Sequence, residues 1–180
     1  MDINAKKVKE TWAIYNKERP NYFSLGLRYE APRSAVEYFC TPKGAKIFAS
    51  MGLDGIHYCT VPRHGERIFA VVPDARDDCF VFPVAKDICE FFRLVAELHG
   101  THLIDQIHSF ERDQLDRELA TLISNEDDTA RRELSEFRER FAVEPLGASA
   151  YDLVMGQYND FDPDSIKFTP LYYDTLGIEP

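Results

Sequence analysis

The chain has 180 residues, of which 44% are hydrophobic and 13% aromatic, so it can bury an ordinary core within one domain. Residues 1–86 contain 13 Lys and Arg against 10 Asp and Glu, whereas residues 87–180 contain 8 against 21, which gives a net charge of −10. This acidic half disfavours nucleic acid and anionic membranes as partners and favours a basic protein, although acidic helix faces also serve solubility alone. There is no run of about 18 apolar residues and no apolar signal segment near Met1, so the sequence predicts a cytoplasmic protein that does not bind membranes.

The first fifty residues predict short elements. Residues 3–17 are predicted as a helix, because three of its large apolar residues recur at helical spacing: Val8, Trp12 and Tyr15. Residues 22–29 predict a strand and residues 35–40 a short helix. Residues 46–50 fit either a helix or a strand.

Three strands are predicted at residues 56–61, 67–72 and 79–82, where β-branched and aromatic residues are bounded by turn residues. The connections between them, at residues 62–66 and 73–78, are too short for a crossover helix, so the sheet is predicted to be antiparallel. The second strand is apolar from Ile68 onwards at every position, which predicts that both of its faces are covered.

A helix follows the third strand directly. Asp87 is a good N-cap and Glu90 comes three residues later, which is the spacing of a capping box. The apolar residues then recur at helical spacing until Gly100, which is placed to end the helix: Ile88, Phe91, Phe92, Val95 and Leu98.

Two further helices with charged faces are predicted, capped by Ser109 and Asn125. Their apolar faces are Leu115, Leu119, Leu122 and Ile123 in the first, and Ala130, Leu134, Phe137 and Phe141 in the second. Three i,i+4 ion pairs are expected on the second helix: Asp127–Arg131, Asp128–Arg132 and Glu136–Arg140. The short connection predicts an antiparallel helical hairpin. Ser149 is predicted to cap a last helix, and the aromatic tail after Asp160 is expected to pack on the domain.

These elements predict an α+β fold, in which the capped helix packs on an antiparallel sheet and a C-terminal helical hairpin is added. Residues 1–100 would form the α+β core domain, and residues 101–180 the helical extension and aromatic tail packed on it as one compact unit.

Two groups of residues suggest metal chemistry. His99, His102 and Asp105 lie close in sequence, but Gly100 interrupts the helix that would align them, and a solvated helix junction is the better explanation. Asp160, Asp162 and Asp164 resemble the opening of a calcium loop. That loop requires Gly at its sixth position and Glu at its twelfth, whereas this chain has Ser165 and Leu171, so an ordinary acidic turn is the better interpretation.

A thiol nucleophile is a further alternative, because His57 and Cys59 share one face of a predicted strand. No orienting carboxylate accompanies them, and the sequence contains no phosphate-binding, dinucleotide-binding or zinc-protease motif. The four cysteines form no C-x-x-C pair, which predicts free thiols and no zinc site. No cofactor is predicted.

The segment from residue 45 to residue 98 resembles the SUKH superfamily, which includes bacterial immunity proteins and a regulator of cell-wall synthesis. Members carry a last strand that leads into a helix of the pattern aliphatic-Ala-x-Ser-Phe-x-x-Phe-Leu. The corresponding run here is Val84-Ala85-Lys86-Asp87-Ile88-Cys89-Glu90-Phe91-Phe92, in which Asp87 replaces the capping Ser. The family's Leu-Pro entry and Asn-Gly turn are not evident, so no functional residue is carried over. The resemblance implies binding to a partner, often a toxin that is neutralised, and not catalysis.

Two functional hypotheses follow. The first is a non-catalytic cytoplasmic protein-binding module, an immunity protein for a basic toxin, that presents the carboxylates least compensated by neighbouring arginines: Glu111, Asp113, Asp116, Glu118, Glu133 and Glu139. The alternative is a small metal-dependent or thiol hydrolase that uses His99, His102 and Asp105, or His57 and Cys59.

Overall fold

The computed structural model of the chain describes residues 3–31, 34–76 and 79–179. The strands are β1 (Asn21–Tyr22), β2 (Leu27–Tyr29), β3 (Lys46–Ser50), β4 (His57–Thr60), β5 (Ile68–Val71) and β6 (Val81–Ala85). The helices are α1 (Ile3–Glu18), α2 (Ile88–Glu97), α3 (Arg112–Ser124), α4 (Asp128–Arg140), α5 (Ala150–Asn159) and α6 (Pro170–Leu176), with 3₁₀ turns at Ile107–Ser109 and Pro163–Ser165. Within the described ranges, no helix is both long enough and apolar enough to cross a membrane.

The strands form one antiparallel sheet in sequential order from β1 to β6, with helices packed on it, so the predicted α+β fold is confirmed. Both faces of β5 are buried, as its apolar sequence predicted. Because side chains alternate along a strand, Ile68 and Ala70 join one hydrophobic cluster and Phe69 and Val71 join another. The first face is covered by helices. The second is covered by the connection between β2 and β3 and by the C-terminal tail.

Helix α2 is the main helix of the first face, and its predicted cap is confirmed. The Asp87 carboxylate accepts a hydrogen bond from the Glu90 N–H at 2.9 Å, and the Glu90 carboxylate accepts one from the Lys86 N–H at 3.0 Å. Both bonds satisfy N–H groups that have no partner inside a helix. Phe91 packs edge-on or tilted against Tyr58 and Phe48, with ring centroids 4.8 and 5.7 Å apart.

The end of α2 is also close to the prediction. The helix ends at Glu97, and His99, with φ of 56°, adopts the left-handed conformation that usually belongs to glycine. The Gly100 N–H then donates to the Val95 carbonyl at 2.8 Å. Gly100 itself has φ of 142°, and a Cβ there would lie 2.8 Å from the Leu25 carbonyl oxygen, so this close approach to the β1–β2 turn requires glycine.

Two predictions for the first fifty residues were wrong. Residues 22–29 form a hairpin of β1 and β2, because Gly26, with φ of 60°, allows the chain to reverse. Residues 35–40 are not helical. Their apolar side chains Ala35, Phe39 and Cys40 lie on the second face of the sheet, and this burial outweighs local helix preference. The ambiguous segment 46–50 is strand β3.

The extension contains both predicted helices, but they begin at different residues. Glu111 is the N-cap of α3, and Ser109 belongs to the preceding 3₁₀ turn. Asp127 caps α4 by accepting from the Ala130 N–H at 2.8 Å, whereas Asn125 ends α3. The three predicted i,i+4 pairs are not formed in the described chain: Arg131 bridges Asp128 at 3.1 Å, and Arg140 bridges Glu18 of α1 at 3.0 Å.

The end of the chain packs as predicted. The Ser149 hydroxyl accepts from the Asp152 N–H and caps α5, which lies against β6. The aromatic tail covers the second face of the sheet through a set of buried and half-buried side chains: Phe161, Ile166, Phe168, Tyr172 and Leu176. Only the part of the β5–β6 connection up to Arg76 can be compared with the prediction, because Asp77 and Asp78 lie outside the described residues.

Candidate functional site

Helix α3 carries four of the six predicted partner-binding residues, and all four side chains are exposed: Glu111, Asp113, Asp116 and Glu118. Leu115 is the only buried residue of this helix, with Leu119 and Leu122 half-buried. Among the residues that the structure describes, none of the four carboxylates forms a salt bridge within 4.0 Å. Most of α3 therefore faces solvent and presents carboxylates that form no salt bridge, although the charge of Asp116 interacts with that of Arg112.

Helical geometry divides these four residues between two sides of α3. At about 100° per residue, Asp113 and Asp116 lie roughly 60° apart on the side away from Leu115. Ile123, which is 39% exposed, follows Asp116 by seven residues and shares this outer side. Glu111 and Glu118 lie seven residues apart along an edge beside the buried stripe.

The N-terminal end of α3 is hydrogen-bonded to the start of α5. Arg112 donates to the Ser149 hydroxyl at 2.9 Å and to the Asp152 carboxylate, and its guanidinium lies 5.0 Å from the centre of the Tyr151 ring. The hydrogen bond to Asp152 raises the pKa of Arg112. These contacts hold α3 in place although it buries few side chains.

The other two predicted residues lie elsewhere. Glu133 accepts a hydrogen bond from the Ser24 N–H at 2.8 Å, so its carboxylate holds the β1–β2 turn. Glu139 lines an exposed groove between α1 and α4, together with Glu18, Glu136 and Arg140. The six carboxylates thus do not form one continuous surface, and the sequence carried no signal for the contact between Glu133 and Ser24.

The histidines proposed as metal ligands have separate partners. The His99 imidazole contacts the Glu126 carboxylate, whereas the His102 ring lies 3.0 Å from the Ser24 carbonyl oxygen. Across the described residues, no group of three or more His, Cys, Asp or Glu side chains is arranged to hold a metal ion. In the calcium-like segment, the Asp162 carboxylate caps a 3₁₀ turn by accepting from the Asp164 N–H at 3.1 Å.

Asp105 is a buried carboxyl group. Burial raises its pKa to about 6, and the Asp54 carboxylate adds to this effect. One of its oxygens, Oδ1, has no hydrogen-bond partner in the described structure. Asp105 is therefore a destabilising group when it is ionised.

His57 and Cys59 do share one face of β4, as predicted, but their surroundings do not favour nucleophilic catalysis. The two ring nitrogens of His57 are engaged by the Gly55 carbonyl at 2.8 Å and the Thr41 hydroxyl at 3.2 Å. Cys59 is fully buried, and burial raises the pKa of its thiol far above the ordinary value. A protonated, inaccessible thiol is a poor nucleophile. None of the four cysteines forms a disulfide bond, as predicted.

A cavity of about 300 Å³ lies beside His57, between the β2–β3 connection and the β3–β4 hairpin. Its lining combines polar and apolar side chains from separate segments, including Glu30, Val36, Tyr38, Ser50, Leu53 and His57. The sequence did not reveal it, because no motif joins segments that meet only in the folded chain.

No protein-family model, curated protein or solved structure matches this chain. The similarity to the SUKH superfamily therefore stays a sequence-based prediction.

Proposed function

We propose that this chain is a non-catalytic protein-binding module that recognises a basic protein through the acidic surface of α3. The observation that carries the proposal is that α3 buries only Leu115 and exposes Glu111, Asp113, Asp116 and Glu118 without salt bridges among the described residues. We call these four side chains the α3 acidic surface.

Electrostatics supports a role in association more than a role in folding. Exposed carboxylates contribute little to stability, since even a paired surface charge is worth only about 0–1 kcal/mol. Unpaired carboxylates attract a cationic partner, speed its encounter and favour it over other proteins. The exposed Ile123 beside Asp116 adds an apolar contact, and an interface core requires such contacts.

The similarity to the SUKH superfamily narrows the proposal to an immunity protein whose basic partner is a toxin domain. This narrower form depends on the resemblance of residues 45–98, whose motif is the run from Val84 to Phe92. It predicts that co-expression of the chain protects cells from a basic toxin encoded beside its gene. If the toxin kills the cells as before, the immunity-protein proposal is wrong, whereas the proposal of a module that binds a basic protein is unaffected.

The general proposal is tested with a displayed library of random peptides selected on the immobilised full chain. The decisive variant combines Asp113→Asn, Asp116→Asn and Glu118→Gln, which removes three charges with little change in shape. A matched control removes three exposed charges elsewhere: Glu97→Gln, Asp174→Asn and Glu179→Gln. Both variants have the same net charge, so a difference between them reports position and not total charge.

We expect the selected peptides to be enriched in Lys and Arg and to associate more slowly as salt increases. Their association rate should fall about tenfold or more on the α3 variant and change less than twofold on the control, because steering depends on the local field. Peptides without basic residues, or equal binding to the two variants, would show that the α3 acidic surface only aids solubility.

A further inference from the structure

The cavity beside His57 combines two carboxylates, those of Glu30 and Asp54, with apolar walls. Ser50 and His57 are opposite each other on β3 and β4, so their side chains share the second face of the sheet. The Ser50 hydroxyl donates to Glu30 Oε1 at 2.6 Å, and Glu30 Oε2 has no hydrogen bond to a described residue. Both ring nitrogens of His57 are already engaged, whereas the Glu30 carboxylate has free capacity to bind.

Three of the apolar and aromatic side chains that line the cavity are exposed to solvent to an unusual degree. Val36 and Leu53 are 69% and 59% exposed, and Tyr38, which stacks on His57 with ring centroids 5.8 Å apart, is 39% exposed. They come from the two segments on either side of the cavity and remain uncovered in the described chain. Exposed apolar side chains grouped around a concave site are typical of ligand binding.

The charged side chains that line the cavity in the described chain are acidic. Glu30 and Asp54 line it, no lysine or arginine does so in the described chain, and burial lowers the pKa of His57, which keeps that ring neutral. The Arg28 guanidinium packs against Gly52, which lines the cavity, and lies 5.0 Å from the centre of the Phe23 ring. A carboxylate in partly apolar surroundings favours a cation that also has an apolar body.

The geometry points to a binding site for a small organic cation, in which Glu30 pairs with an ammonium or guanidinium group while Val36, Tyr38 and Leu53 contact its alkyl or aromatic body. The volume is at the lower end of the range of about 300–1,000 Å³ for ligand pockets, which suits a ligand smaller than a drug-sized molecule. This site is separate from the α3 acidic surface and does not depend on it.

The test is a chemical-shift titration of the isotope-labelled full chain with n-butylguanidinium. Butanol and butyrate serve as neutral and anionic probes of similar shape. We expect the cation to bind with Kd on the order of 1 mM, to shift the amide signals of Ser50, Leu53 and His57, and to bind at least tenfold more tightly than either control probe.

Two variants locate the site. Glu30→Gln keeps an acceptor for the Ser50 hydroxyl but removes the charge, so it should weaken cation binding about tenfold. Glu97→Gln is the matched control, because Glu97 is exposed on α2 and does not line the cavity, and it should change Kd less than twofold. Leu53→Ser shortens an exposed wall without disturbing the core and should weaken binding several-fold.

N-acetylarginine amide, used as a further probe, tells whether the cation belongs to a polypeptide or is free. Tighter binding than butylguanidinium assigns the site to a basic side chain of a protein, and weaker binding assigns it to a free metabolite. Equal binding of butanol, or an unchanged Kd in both Glu30→Gln and Leu53→Ser, would overturn the cation site. Shifts confined to α3 would overturn it as well.

Discussion

Helices α2 and α3 differ in how they relate to the core. Helix α2 is 10 residues long and buries most of them: Ile88, Glu90, Phe91, Phe92, Leu94, Val95 and Ala96. Helix α3 is 13 residues long and buries only Leu115. Burial of apolar area stabilises a fold, whereas exposed charge acts mainly on other molecules. The contrast therefore indicates that α2 serves stability and α3 serves interaction with other molecules. Changes in the two helices should therefore have different consequences.

The largest expected effect is the loss of Phe91. Its ring is completely buried between α2 and the sheet, so Phe91→Ala should lower the free energy of unfolding by about 3–5 kcal/mol through lost burial and a cavity. Leu119→Ala is the matched change on α3, where the side chain is only half-buried, and should cost about 1 kcal/mol or less. Denaturant unfolding measures both. Equal losses would show that the two helices contribute equally to the core.

A second prediction concerns Asp105, in the segment that follows α2. A carboxyl group whose pKa is raised in the folded state stabilises the fold while it is protonated. This contribution to the free energy of unfolding is lost as the pH rises from about 4 through about 6. Asp105→Asn cannot ionise, so at pH 7 it should raise the free energy of unfolding by up to about 3 kcal/mol relative to the wild type.

The same comparison at pH 4 serves as the internal control for Asp105. There the carboxyl is protonated in the folded state, and the difference between the two proteins should nearly vanish. A difference that does not change between pH 4 and pH 7 would mean that the carboxyl is not the titrating group.

The helix caps provide a smaller contrast. Asp87→Ala removes the cap of α2 and should cost about 0.5–2 kcal/mol. Asp127→Ala removes an equivalent bond from α4, where the cap is exposed, and should cost an amount near the lower end of that range. Thermal melts of the two variants measure this difference, and a larger loss for Asp127→Ala would contradict the greater role of α2.

The smallest effect on stability is expected for the α3 acidic surface. The combined change Asp113→Asn, Asp116→Asn and Glu118→Gln should alter the free energy of unfolding by no more than about 0.5 kcal/mol, because these groups make no described salt bridge. Glu133→Gln is the contrasting single change. It weakens the bond to the Ser24 N–H and should cost about 0.5–1.5 kcal/mol, although it removes only one charge. A larger loss of unfolding free energy in the triple variant would show that the charged side chains of α3 stabilise the fold.

Much of the fold followed from the sequence, because its signals are local. The cap of α2, the buried stripe of α4 and the cap of α5 depend on residues three or four positions apart, which adopt the same relation in any helix. The antiparallel sheet followed from short connections, which exclude parallel pairing. Exposure of the charged side of α3 followed from its composition.

The tertiary structure alone decided which distant residues meet. Residues 35–40 are not helical because the second face of the sheet offers burial that an isolated segment lacks. Glu133 holds the Ser24 amide across 109 positions, and His99 contacts Glu126 across 27. The cavity between Glu30, Ser50 and His57 likewise arises where a loop crosses a hairpin. The spacing of residues in the sequence does not predict such contacts, because they depend on how whole elements pack and not on the geometry of any one element.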